Sequence, residues 1–95
     1  MVRNVVLVQF KPGVRDQDVA AMLEAMREIR TPGLLSITAG RDLGLREGNW
    51  HAAVVTDLAD QESYRIYDAD PEHNHIRRDL VAPLVDRIVR CQFEV

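Results

Sequence analysis

Residues 64–75 read Tyr64-Arg65-Ile66-Tyr67-Asp68-Ala69-Asp70-Pro71-Glu72-His73-Asn74-His75. Asp70-Pro71 divides this stretch in two. A helix through Tyr64 and Tyr67 stops ahead of the proline, whose ring disfavours the α conformation in the residue before it. Asp70 then caps a new helical segment with Pro71 at its first position, where a missing N–H is no loss. The stretch holds both tyrosines and two of the chain's three histidines. In an unbroken helix, Tyr67 and His73 would be rotated apart by about 240° at 3.6 residues per turn. The break at Asp70-Pro71 redirects the chain so that both are expected to face one pocket.

Reading outward, residues 49–58 alternate as a strand. Trp50, Ala52, Val54, Thr56 and Leu58 share one face, and His51, Ala53, Val55 and Asp57 the other. The small Ala52 and Ala53 leave space beside the sheet. Arg3–Lys11 reads as the first strand, with Asn4, Val6, Val8 and Phe10 on one face and Val5, Leu7 and Gln9 on the other. Both of its faces are largely apolar, so both are expected to be covered. Lys11-Pro12-Gly13 breaks it. Asp16 is the expected N-cap of a helix from Gln17 to Arg30, with Val19, Met22, Leu23, Met26 and Ile29 at helical spacing. Thr31-Pro32-Gly33 ends that helix, Leu34–Arg41 forms the second strand, and residues 40–48 make a polar connection. Asp60 caps the helix of the tyrosines. Beyond the break, Ile76, Leu80 and Val81 continue an apolar stripe that Pro83 closes, and Val85–Val95 is the last strand.

The order is β-α-β-β-α-β, an α+β, ferredoxin-like arrangement with a four-stranded antiparallel sheet and helices on one face. The opposite face carries Val5, Leu7, Ala53 and Val55 and needs a cover. A second copy packed sheet to sheet supplies one, so a homodimer is expected, with His51 and Asp57 available for polar contacts across it.

The 95 residues are expected to form a single domain, residues 1–95. The net charge is −3, Lys11 is the lone lysine, and the arginines are scattered, which argues against nucleic acid as a partner. No apolar run reaches the length of a membrane span. The apolar start alternates as a strand and is followed by no small-residue cleavage site, so a cytoplasmic location is expected. Cys91 has no second cysteine to pair with and reads as a small apolar residue.

His73 suits a general base near neutral pH, and Tyr67 a hydroxyl donor to a carbonyl oxygen. The structural alternative has Tyr67 packed in the core and His73 fastening the helix break by bonding backbone. A metal site from Asp70, Glu72, His73 and His75 is disfavoured. Histidines two apart on a helix diverge, whereas zinc-binding helices space them three or four apart. No metal or cofactor is therefore expected.

Four features together carry a resemblance: the strand ending in Phe10-Lys11, the Thr31-Pro32-Gly33-Leu34 step, Gly40 after the second strand, and Tyr67-x-x-Asp70-Pro71-x-His73. In this order they resemble the stress-responsive dimeric α/β-barrel (Dabb) proteins, whose common form of the last motif is Tyr-x-x-His-Pro-x-His. The resemblance implies ferredoxin-like monomers paired through a shared barrel. It also implies a candidate chemistry, because the family includes a plant polyketide cyclase in which a tyrosine and a histidine at this spacing catalyse an aldol condensation. Those positions fall on Tyr67 and His73. Asn4 and Ala52 stand where that enzyme has further histidines, and Asp70 replaces the first histidine of the motif.

The expected protein is thus a homodimer with a modest apolar pocket between helices and sheet in each subunit. Asn4, Trp50, Ala52 and Val54 are expected to line it, and Tyr67 and His73 to be its polar groups. A small hydrophobic or aromatic molecule is the expected ligand. The alternatives are a polyketide cyclase-like or cofactor-independent monooxygenase-like enzyme, and a stress-related structural protein without a ligand.

Overall fold

Alternation along residues 2–10 sets the centre of the sheet. Val2, Asn4, Val8 and Phe10 are buried against the helices, while Leu7 is exposed on the other side. The computed structural model describes residues 1–95, with strands β1 (Val2–Phe10), β2 (Leu34–Arg41), β3 (Ala52–Leu58) and β4 (Val85–Glu94). Helices α1 (Asp16–Arg27), α2 (Gln61–Ala69) and α3 (Pro71–Ile76) are followed by a π-helical turn over Arg77–Val81. The sheet order is β2-β3-β1-β4, all neighbours antiparallel, which is the ferredoxin-like arrangement. No helix is long and apolar enough to cross a membrane.

Cross-strand register decides what each face carries. Val5 lies opposite Val55 and Cys91, and Leu7 opposite Ala53 and Val89. With no helix on that side, Leu7, Val89 and Phe93 remain 36%, 46% and 47% exposed. Cys91 is exposed there as well. Asp57 on this face is engaged within its own chain: Arg3 donates to its carboxylate at 2.8 and 3.0 Å, and the Ser36 hydroxyl lies at 3.4 Å. His51 Nδ1 accepts the Phe10 N–H at 2.8 Å. The Asp57 carboxylate is thus paired within its own chain, whereas His51 is exposed with its Nε2 unbonded.

On the helix side, the α1 stripe of Val19, Met22, Leu23 and Met26 packs with Val8, Phe10, Val54 and Leu58 in one apolar core. Asn4 and Thr56 are buried among them and satisfy each other. Asn4 Nδ2 donates to Thr56 Oγ1 at 3.2 Å, and Gln92 Nε2 donates to Asn4 Oδ1 at 2.8 Å. A buried amide without such partners would be costly.

Apart from one-residue shifts at the ends of β1 and β4, three boundaries differ from the sequence reading. The N-cap of α1 is Arg15, extended at φ −85° and ψ 142° and without a side-chain cap bond; Asp16 lies in the first turn. The Asp16 carboxylate instead accepts from Arg41 at 2.7 Å, and it sits where negative charge suits the helix dipole. Helix α1 stops at Arg27: the next N–H groups, of Glu28 and Ile29, donate to the Ala25 and Met26 oxygens in three-residue turns at 3.2 and 3.4 Å. Arg27 donates to the Ala39 oxygen at 2.7 and 3.2 Å, and Arg30 to the Arg27 and Ile29 oxygens at 2.8 and 2.7 Å. Strand β3 begins at Ala52: the His51 N–H still donates to the Val8 oxygen at 2.9 Å, but the Phe10 N–H goes to the His51 ring in place of a backbone carbonyl, and the regular pairing ends there.

The caps around the helix break are as the sequence indicates. Asp60 accepts the Ser63 N–H at 2.8 Å and its hydroxyl at 2.7 Å. Asp70 accepts the His73 N–H at 2.9 Å, with Pro71 opening α3. Both carboxylates satisfy donors that a helix start leaves unpaired.

Candidate functional site

A cavity of about 350 Å³ lies between the helices and the sheet. Its floor is formed by Asn4 and Val8 of β1 with Ala52 and Val54 of β3; Met22 and Met26 of α1, Tyr67 of α2 and His73 of α3 enclose it. Edge strand β4 is exposed from Asp86 to Glu94, and its Ile88 lines the open side of the cavity.

The break at Asp70 decides the chemistry. Its extended backbone, φ −61° and ψ 128°, turns α3 back on α2 and lays the His73 ring against the Tyr67 ring, centroids 4.1 Å apart at 36°. Each residue is 2% exposed. His73 Nδ1 lies 2.8 Å from the Tyr67 carbonyl oxygen. A carbonyl oxygen only accepts, so Nδ1 carries the hydrogen and the neutral ring presents Nε2 as an acceptor. His73 thus fastens the helix break and keeps a second nitrogen for other work.

Burial pushes the His73 pKa below its usual 6.5; the bond to the Tyr67 carbonyl opposes this, and the nearby Arg77 charge reinforces it. The neutral ring is therefore the resting form at pH 7. A lowered histidine pKa contributes stability that is complete above about pH 6.5, the unfolded value. That contribution is lost as pH falls toward and through the folded value. Burial pushes the Tyr67 phenol the other way, up to about 12, so it remains a donor. Neither the Tyr67 hydroxyl nor His73 Nε2 bonds a protein atom, and Thr31 Oγ1 alone is sealed from solvent without a partner. Neither atom is therefore sealed from solvent, and both residues line the cavity.

Of the lining residues read from the sequence, Asn4, Ala52 and Val54 are on the cavity floor and Trp50 is not. Trp50 precedes the first residue of β3, so strand alternation does not orient it. It lies instead beside Leu7, Ala53 and Val55 on the helix-free side, with the Arg87 guanidinium 6.0 Å from its ring centroid. His75 is turned to the surface, its Nε2 3.1 Å from Asp79. No three histidine, cysteine, aspartate or glutamate side chains are grouped to hold a metal ion. The sequence reading missed Arg77, Asp86 and Arg90, which line the cavity from the π-helical turn and β4. Strand β4 alternates, but alternation does not reveal which face meets a cavity.

The sequence pattern of the stress-responsive A/B barrel domain matches residues 2–95. The chain belongs to this family, Dabb. Solved structures agree with that placement. A dimeric ferredoxin-like protein of unknown function from Thermobifida fusca is 30% identical, covers 99% of this chain and 90% of its own, and superposes with a TM-score of 0.89. A Dabb protein from Mesorhizobium loti is 20% identical over 99% of this chain and 95% of its own, with a TM-score of 0.82. A hydroxynitrile lyase from Passiflora edulis is 15% identical over 97% of this chain and 90% of its own, with a TM-score of 0.83. At such identities the likeness of the last two concerns the fold. None of the curated proteins compared matches the chain.

Proposed function

We propose that this Dabb protein is a cytoplasmic homodimer whose subunits each bind a small hydrophobic or aromatic carbonyl compound in the cavity. One observation carries the reading. Two polar atoms with no partner in the chain, the Tyr67 hydroxyl and His73 Nε2, belong to buried residues that line a largely apolar space. A volume near 350 Å³ is at the lower end for small-molecule sites, about 300–1,000 Å³. The phenol is suited to donate to a carbonyl oxygen, and the apolar walls to hold the ring or chain beside it. The homodimer is supported by the exposed apolar sheet face and by the Thermobifida fusca relative, which is described as dimeric.

A proton-transfer enzyme is the second reading, favoured by the neutral Nε2 beside a protonated phenol. Nε2 would take a proton from the carbon next to the carbonyl, and the Tyr67 hydroxyl would donate a hydrogen bond to the enolate oxygen that forms. The hydroxynitrile lyase shows that this fold can carry a lyase, without transferring that activity here.

A neutral aromatic ketone, 1-acetonaphthone, tests both readings. In calorimetry, Tyr67→Phe and His73→Gln are each expected to weaken its binding by roughly three- to tenfold, the effect of one net hydrogen bond. Unchanged affinity in both variants would contradict the binding reading. In D₂O, faster exchange of the ketone's methyl protons that disappears in His73→Gln would establish the enzyme reading. Exchange at the uncatalysed rate leaves a binding protein, and no binding at all leaves the structural role.

A further inference from the structure

Arg90 lies on β4 opposite Val6 and lines the open side of the cavity. It makes no hydrogen bond or ion pair within the chain, and in this it differs from most of the arginines. Arg3, Arg15, Arg41, Arg65 and Arg78 are each paired with a carboxylate. Arg27 and Arg30 bond backbone carbonyls, and Arg87 lies over the Trp50 ring. Arg77, which also lines the cavity, is neutralised by Asp68 at 2.8 Å. Apart from Arg46 in the loop after β2, Arg90 is the one guanidinium left without a partner.

Asp86 lines the cavity from the same face of β4 but does not offset this charge. Four residues of extended strand separate the two, about 13 Å between Cα atoms. Arg90 also lies on the helix-side face, away from Val5 and Leu7. A second copy seated on the apolar sheet face would leave it free.

We propose that the cavity takes an aromatic carboxylic acid in its ionised form, with Arg90 anchoring the carboxylate and the ring reaching inward toward Tyr67 and His73. This rests on the reading of the cavity as a binding site and specifies its ligand class. A guanidinium presents a planar fork that matches a carboxylate, and one unpaired arginine at an apolar cavity suits a single negative charge.

The test compares 1-naphthoate with 1-naphthamide, which share size and shape but differ in charge, by calorimetry in low-salt buffer at pH 7.5. Wild-type protein is expected to bind the acid about tenfold more tightly than the amide, as for a partly exposed charge-assisted hydrogen bond. Arg90→Gln should abolish that preference while leaving the unfolding midpoint unchanged. Arg46→Gln, which removes the same charge far from the cavity, should retain it. Equal binding of the two probes by wild type, or a preference that survives Arg90→Gln, would overturn this proposal and leave the binding site standing. Binding of neither probe would overturn both.

Discussion

Gly33→Ala is expected to cost about 3 kcal/mol or more of unfolding free energy, against about 1 kcal/mol for Gly13→Ala. The two glycines have nearly the same left-handed backbone, φ +81° and +80°, so the strain of adding a Cβ is common to both. Their surroundings differ. A Cβ at Gly13 meets nothing within 4 Å, whereas one at Gly33 collides with the Oγ and Cβ of Ser63. Ser63 cannot swing aside cheaply, because its hydroxyl and amide are both held by Asp60 at the start of α2. The step from α1 into β2 therefore passes against the first turn of α2 only because residue 33 has no side chain. A total stability of about 5–15 kcal/mol is usual, with small domains toward the low end, so the variant should be close to unfolding. Urea denaturation of the two variants side by side measures the difference. Equal losses would mean that the close approach to Ser63 does not constrain the fold.

Val55→Asp is expected to convert the proposed dimer to monomer. Val55 lies between Val5 and Thr38 in the centre of the helix-free face, near the exposed Leu7 and Val89. In a sheet-to-sheet dimer a carboxylate there would be buried without a partner, because Arg3, the nearest cation by register, is already bonded to Asp57. An uncompensated buried charge costs about 3–5 kcal/mol, which raises the dissociation constant by roughly a hundred- to a thousandfold or more. In the monomer the same aspartate is partly solvated, so the fold should survive. Sedimentation velocity at micromolar concentration is the measurement. The wild type should sediment as a dimer and the variant as a folded monomer. A monomeric wild type would remove the homodimer from the account.

The fold could be read from the sequence where one residue sufficed to fix local geometry. Asp60 and Asp70-Pro71 mark their helix starts through a side chain and a ring that act within three positions. The alternation of Asn4, Val8, Val54 and Thr56 places these residues on the helix side because a strand has only two faces. The meeting of Tyr67 and His73 followed from the same local break. Distant competition decided what could not be read. Arg41, in β2, takes the carboxylate that looked like a cap at Asp16, and Ala39 draws the Arg27 guanidinium away from the end of α1. Trp50 left the cavity because the His51 ring, not backbone, receives the Phe10 N–H just ahead of β3. Arg90 joined the cavity because exposed edge strand β4 lines its open side, a relation between elements that no local pattern carries.

The paired rings at the helix break are the centre of the functional account, and their protonation can be observed directly. Nitrogen-detected NMR of the three histidines, titrated from pH 8 to pH 4, reports the tautomer and midpoint of His73. The geometry predicts a neutral ring at pH 7 with its hydrogen on Nδ1, a midpoint below 6.5, and loss of stability as pH falls through that midpoint. An Nε2–H tautomer, or a midpoint at or above 6.5, would contradict a His73 that fastens the helix break with one nitrogen and offers the other to the cavity.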